Sequence, residues 1–116
     1  MKAERGYLPP AWSYLAENDV DFAEAYNTLY GIALADGQAL PIKTKELIAI
    51  ALLAFRGLEG AVYDHVKRAL KNGATKLEIL EAIETAYIPG GAPTLLVGLN
   101  ALIRVEADEK KTNRDK

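Results

Sequence analysis

Apolar residues recur at intervals of three and four along most of the chain, which is the spacing of one face of an α-helix. A clear example is the run of Phe22, Ala25, Tyr26, Leu29, Ile32 and Ala33. No segment shows the apolar–polar alternation between turn residues that is typical of a half-buried strand. The pattern therefore predicts an all-α fold of about six helices.

Helix-start and helix-stop residues indicate where these helices begin and end. They place the helices at about 9–17, 21–34, 44–56, 58–72, 75–87 and 94–105. Thr75 and Glu78 have the spacing of a capping box, as do Asp21 and Glu24, and Gly73 suits the left-handed residue after a helix. The sequence IPGGAP at 88–93 is predicted to separate the last two helices.

Two of the predicted helices carry unusually few polar residues. The helix at 44–56 is expected to be central and mostly buried, and the helix at 94–105, apolar on most sides, to pack against a partner subunit. The organisation that follows is an N-terminal arm at 1–8, a single helical domain at 9–105 and a charged C-terminal tail at 106–116 that frays in solvent.

Composition narrows the class of protein. A chain of 116 residues with 50% apolar and 26% charged residues is typical of one globular domain, and a net charge of −2 gives no basic surface for nucleic acid. The absence of cysteine excludes disulfides, thiolate metal sites and thiol chemistry by this chain. The start of the chain shows no secretion signal, and the longest apolar run, 47–55, is too short to span a membrane. We expect a soluble, cytoplasmic protein with no membrane partner.

His65 is the single histidine of the chain. On a helix it shares a face with Leu58, Ala61, Val62 and Ala69. Two interpretations are open: a partly buried histidine hydrogen-bonded for structural reasons, or a general acid or base oriented by a carboxylate. With no second histidine and no cysteine to complete a ligand set, we predict neither a metal nor a cofactor.

Glu46 is the preferred carboxylate partner, because it lies in the first turn of an otherwise apolar helix. Its alternative role is to interact with the helix dipole. Glu59 is the second candidate, although its offset of six residues from His65 puts it on a different helix face. Arg56 is the nearest cation that could hold a carboxylate, and Tyr87 could donate a phenolic proton.

Three segments between about 40 and 104 carry a family resemblance: LPIKTKELIAIALLAF, HVKRALKNGATKLEILEAIETA and GGAPTLLVGLNAL. In this order and spacing they resemble the carboxymuconolactone decarboxylase family, which includes the AhpD-like alkylhydroperoxidases. The resemblance implies an AhpD-like helical bundle that assembles into trimers or hexamers.

The resemblance also implies roles for individual residues. His65 and Glu46 match the histidine and glutamate of the peroxidase proton relay, but Leu58 and Ala61 occupy the two cysteine positions. Dithiol peroxidase activity is therefore not expected. In the decarboxylase branch a glutamate-rich stretch precedes the histidine, and here LEGA retains Glu59 as a possible third catalytic residue.

Two functions remain open at this point. One is an enzyme acting on a small lactone or carboxylate, with His65 as general base oriented by Glu46 and with substrate contacts from Arg56, Leu58, Ala61 and Tyr87. The other is a non-catalytic oligomer of the same family that binds a small molecule or serves a structural role.

Overall fold

The computed structural model describes residues 10–114, and over this range the chain is all-α, as predicted. No strand occurs between residues 10 and 114. The predicted N-terminal arm at 1–8 lies outside the described residues. The helices are α1 Pro10–Asn18, α2 Val20–Leu34, α3 Ile42–Phe55, α4 Glu59–Lys71, α5 Lys76–Gly90 and α6 Ala92–Arg114.

The predicted end of α4 and the predicted start of α5 are confirmed. Gly73 has a φ of 94°, a conformation that glycine adopts without steric strain. The Glu78 amide donates to Thr75 Oγ1 at 3.0 Å, and the Thr75 amide donates to Glu78 Oε1 at 2.8 Å, which completes the capping box.

The start of α2 differs from the prediction. Its N-cap is Asp19, whose Oδ1 accepts a hydrogen bond from the Phe22 amide at 3.1 Å, while Asp21 lies in the first turn. Asp19 satisfies a free amide of the first turn, so the helix begins one residue before the predicted Asp21–Glu24 box.

The predicted break at 88–93 is reduced to a single residue. Helix α5 continues through Pro89 to Gly90, and Gly91 alone, with a φ of 82°, separates it from α6. Pro89 has no amide to donate and its ring crowds the carbonyl four residues earlier, so the disturbance falls in the last turn of α5, where the helix ends one residue later. Pro93 then lies in the first turn of α6, where proline is favoured.

Helix α6 extends to Arg114 instead of ending near 105. Residues 106–109 of the segment expected to be a frayed tail contact other helices. Lys76 Nζ lies 3.5 Å from Glu106 Oε2 and 2.8 Å from Glu109 Oε1, and the Tyr63 hydroxyl donates to Asp108. These contacts join residues far apart in sequence, so the local polar pattern could not predict them.

The chain divides into two compact units at Ala39–Leu40, where the sequence predicted one domain over 9–105. In the first unit, α1 packs against α2, the rings of Trp12 and Tyr26 stack with centroids 4.7 Å apart, and Ala23 is buried. The second unit contains α3 to α6 and carries the residues of the candidate site.

Helices α3 and α5 of the second unit run side by side in the same direction. Their first turns are joined by an ion pair between Lys43 Nζ and Glu78 Oε2 at 3.0 Å. At their other ends, the Phe55 ring lies beside Gly90, 3.0 Å from where a Cβ on Gly90 would stand. Because short connections lead from α3 to α4 and from α5 to α6, the ends of α3 and α5 meet the starts of α4 and α6 at one end of the unit.

Side chains from all four helices form the core of this unit. Its most completely buried members are Ile50, Val62, Val66, Ile79 and Ile83. The prediction that the third helix is mostly buried holds for one face only. Ile48, Leu52 and Phe55 of α3 are 46%, 59% and 57% exposed within the single chain. No helix in the described part of the chain is long and apolar enough to cross a membrane.

Candidate functional site

Glu46 is a charged residue placed inside the core. It lies on the face of α3 that also carries Ile50 and Ala54, because positions four residues apart share a helix face. The residue is 2% exposed, as deeply buried as the apolar side chains around it. A carboxylate in such surroundings requires a specific partner.

That partner is His65 of α4. Its Nδ1 lies 2.7 Å from Glu46 Oε1, and the imidazole is 15% exposed. Helix α4 fixes the ring in place, since Val62 and Ala69 on the same helix face are fully buried. An ionised carboxylate can only accept a hydrogen bond, so with Glu46 ionised it is Nδ1 of His65 that carries the proton of this contact.

The structure thus brings together the two residues that the sequence singled out. It does so across two helices and 19 residues of chain. The arrangement is a histidine oriented by a carboxylate at one ring nitrogen, as general acid–base catalysis requires. The catalytic role itself stays a prediction.

The other candidate residues lie toward the end of the unit where α3 stops and α4 starts. Ala61 is half-buried on α4, and Leu58, the N-cap of this helix, is 41% exposed and about 10 Å from His65 along the helix axis. Arg56 is the exposed C-cap of α3, and Tyr87 on α5 is 41% exposed. These four positions remain predicted substrate contacts.

Glu59 is not placed against His65 in the way that Glu46 is. It is exposed in the first turn of α4, about 9 Å along the axis from His65. In this position its carboxylate interacts favourably with the N-terminal end of the helix dipole. Its role as a third catalytic group stays a prediction.

Sequence reasoning missed a polar cluster around Tyr63. The phenol donates to Asp108, the Arg104 guanidinium lies 3.9 Å from the ring centroid, and the Lys67 ammonium lies 4.9 Å from it. The hydrogen bond to Asp108, together with burial, raises the pKa of the Tyr63 phenol above its usual range. Tyr63 therefore remains a protonated donor, and no local signal indicated this contact across 45 residues.

The same cluster borders a cleft of about 650 Å³ that also contains Leu70, Lys76 and Lys110. This cleft is lined by α4, α6 and the start of α5, and neither His65 nor Glu46 lines it. Within residues 10–114 there is no cluster of three or more histidine and acidic side chains suited to hold a metal ion.

Residues 21–104 match the sequence profile of the Carboxymuconolactone decarboxylase family. Uncharacterized protein MJ1511 of Methanocaldococcus jannaschii is 30% identical over 93 residues, which is 80% of this chain and 86% of that protein. Uncharacterized protein 4 in the cox locus of Paracoccus denitrificans is 35% identical over 82 residues, covering 68% and 73% of the two chains.

Two crystal structures are similar to the whole or most of the chain. One, from Burkholderia xenovorans LB400, is of a protein named only provisionally as a carboxymuconolactone decarboxylase; it has a TM-score of 0.81 and 29% identity, covering 99% of this chain and 90% of that one. The other is apo-lpg0406 of Legionella pneumophila, a carboxymuconolactone decarboxylase family protein, with a TM-score of 0.75 and 33% identity over 82% and 84% of the chains. This chain therefore belongs to the carboxymuconolactone decarboxylase family.

Proposed function

We propose that this protein performs cofactor-free acid–base chemistry on a small lactone or carboxylate, with His65 exchanging the proton and Glu46 orienting it. The observation that supports the proposal is the contact of 2.7 Å between His65 Nδ1 and a carboxylate that is almost completely buried. A surface ion pair could be incidental, but a carboxylate placed in the core needs a compensating interaction.

In this proposal Glu46 holds the imidazole in one tautomer and one orientation. With its proton on Nδ1, neutral His65 takes the carboxylic acid proton of the ligand at Nε2, and the Glu46 carboxylate stabilises the imidazolium that forms. The same Nε2–H then returns the proton to a carbon atom. For the loss of CO₂ from a lactone acid, the carbon–carboxylate bond breaks, its electron pair stays on the carbon framework, and His65 protonates that carbon.

The ligand would approach along α4 from Leu58 past Ala61 to His65. Both side chains are apolar where the peroxidase branch has cysteines, so we infer that this chain has lost dithiol peroxidase activity. Arg56 is the proposed anchor for a ligand carboxylate, since its guanidinium is permanently charged and exposed near the start of this path.

A second candidate function is binding without turnover. The replacement of both cysteine positions by Leu58 and Ala61 favours it, because the surroundings of His65 become more apolar and less reactive. In that case the His65–Glu46 pair serves only to fix α3 against α4.

The experiment that separates the two functions follows proton exchange directly. The purified protein is incubated in D₂O with a panel of small lactones, lactone acids and keto acids, and deuterium incorporation at carbon and release of CO₂ are followed by NMR. The enzyme proposal expects activity that His65→Ala abolishes and Glu46→Gln lowers by about 10²-fold or more. Turnover that survives both changes would refute the assigned roles.

Each variant must be shown to be folded before its activity is compared, because Glu46 lies in the core. Lys67→Ala is a suitable control, since it removes a charge from α4 on the side of the Tyr63 cluster, away from His65. Ligand-induced shifts of the His65 imidazole resonances without exchange or CO₂ release would favour binding over catalysis.

A further inference from the structure

The cleft between α4, α6 and the start of α5 is lined by regularly spaced residues. On α4, Tyr63, Lys67 and Leu70 share one helix face, because they are four and three residues apart. On α6 the lining follows two neighbouring columns of the same spacing, which are Val105, Glu109 and Thr112, and Glu106, Lys110 and Asn113. The part of α6 that the sequence predicted to be a frayed tail therefore forms one wall of the cleft. Its volume of about 650 Å³ is typical of a site for a small molecule.

Within the described part of the chain, three carboxylates line the cleft, and each has a partner in the protein. Glu106 Oε2 and Glu109 Oε1 lie 3.5 Å and 2.8 Å from Lys76 Nζ. Asp108 accepts a hydrogen bond from the Tyr63 hydroxyl. A cationic ligand would have to compete with these donors for the same carboxylates.

Two lysines of the lining differ from Lys76 in having no carboxylate partner. Among the described residues, no carboxylate lies within 4 Å of the ammonium of Lys67 or Lys110. Glu106 precedes Lys110 by four residues, a spacing at which such side chains commonly pair, but its carboxylate contacts Lys76 instead. The Lys67 ammonium lies 4.9 Å from the centroid of the Tyr63 ring, an interaction that leaves its N–H donors unused. The cleft therefore favours an anionic ligand.

The cleft also has an apolar part. Val105 is 3% exposed and belongs to the core of the four-helix unit, and Leu70 is half-buried against that core. The Arg104 guanidinium already packs on the Tyr63 ring, 3.9 Å from its centroid. Apolar contact with a ligand is therefore left mainly to Leu70 and Val105. A ligand that matches both parts of the cleft has an anionic group attached to an apolar body.

We propose that this cleft is a binding site for small organic carboxylates. Lys67 and Lys110 donate charge-assisted hydrogen bonds to the carboxylate oxygens of the ligand. The apolar body of the ligand packs on Leu70 and Val105, which removes apolar surface of both partners from water.

This site is separate from the candidate catalytic pair. Neither His65 nor Glu46 lines the cleft. His65 and Tyr63 are two residues apart on α4, a spacing at which side chains do not share a helix face. Binding in the cleft therefore does not require the chemistry proposed at His65.

The first test measures the binding of naphthalene-2-carboxylate to the full chain by isothermal titration calorimetry. Naphthalene-2-carboxamide is the matched control, because it has the same rings and no charge. We expect the amide to bind about tenfold more weakly, since an ammonium group binds an ionised carboxylate more strongly than a neutral carbonyl. Equal affinities of the two compounds, or no measurable binding of the acid, would overturn the proposal.

The second test removes the two charges one at a time. Lys67→Met and Lys110→Met keep an unbranched apolar side chain, and each should raise the dissociation constant of naphthalene-2-carboxylate about threefold. Lys71→Met is the control, because Lys71 is an exposed lysine of α4 that does not line the cleft. If Lys71→Met weakens binding as much as the other two changes, the acid responds to the overall charge and the proposed site is refuted.

The third test locates the bound acid by NMR. Binding in the cleft should shift the backbone amide resonances of residues 105–113 and leave the imidazole resonances of His65 unchanged. His65 is the single histidine, so its ring signals need no further assignment. Shifts at His65 without shifts over 105–113 would place the acid at the candidate catalytic pair and would exclude the cleft as its site.

Discussion

The imidazole of His65 lies 2.7 Å from the carboxylate of Glu46, and the two side chains meet where α3 and α4 pack against each other. The side chain of Glu46 is 3% exposed, and the side chain of His65 is 15% exposed. The pair therefore has consequences for stability as well as for the proposed chemistry. Removing either partner alters the environment of the other.

His65→Ala should destabilise the protein by about 2–4 kcal/mol, because it leaves the buried Glu46 carboxylate without its partner. The double change Glu46→Leu with His65→Leu replaces both polar groups by apolar side chains of similar size and should cost less than the sum of the single changes. Urea unfolding of the wild type, the single variants and the double variant measures this coupling. Additive costs would show that the two side chains do not stabilise each other.

Gly98→Ala should destabilise the four-helix unit by about 1–3 kcal/mol. A Cβ at this position would lie 2.5 Å from Ile83 Cγ2, and Ile83 is fully buried and cannot move aside. Gly60→Ala is the control, because its Cβ meets nothing within 4 Å and the substitution in a helix should be neutral or slightly stabilising. Thermal unfolding compares the two, and equal melting temperatures would contradict the close approach of α5 and α6.

Tyr63→Phe should cost about 0.5–1 kcal/mol at neutral pH, because it removes the hydrogen bond to Asp108 and keeps the ring against Arg104. The pKa of Tyr63 is raised in the folded protein, so its contribution is present below the usual value of 10.0 and is lost as pH rises through the folded value. Unfolding measured at increasing pH should show the two proteins converging in alkali. A difference that stays constant through this range would contradict the prediction.

Glu78→Gln should make stability less dependent on pH in the acid range. The pKa of Glu78 is lowered because its carboxylate accepts from the Thr75 amide and pairs with Lys43. Its contribution is therefore present above the usual carboxyl value of 4.5 and is lost as pH falls through the folded value. Melting temperatures of wild type and variant should converge in acid.

Lys43→Met tests the same ion pair from the other side. It removes the charge that faces Glu78 and leaves the capping box with Thr75 intact. We expect it to reproduce part of the effect of Glu78→Gln on the pH profile. A variant that behaves like the wild type in acid would assign the whole pH dependence to the capping box.

The sequence by itself determined the all-α class, the capping box at Thr75 and the glycine stop at Gly73. Each depends on residues within one or two turns of each other, so a local pattern is sufficient. It also indicated the pairing of His65 with Glu46. Glu46 is the carboxylate of an otherwise apolar helix, whereas Glu59, the second candidate, lies on a different helix face from His65.

The tertiary structure alone decided the remaining features. Helix α6 continues past 105, where Lys76 and Tyr63 contact residues between 106 and 109. Helix α3 leaves Ile48 and Leu52 exposed because its neighbours cover one face only. Gly98 permits the close approach of α6 to Ile83. These features depend on the distances and rotations at which helices pack, and helical periodicity within a segment does not encode them.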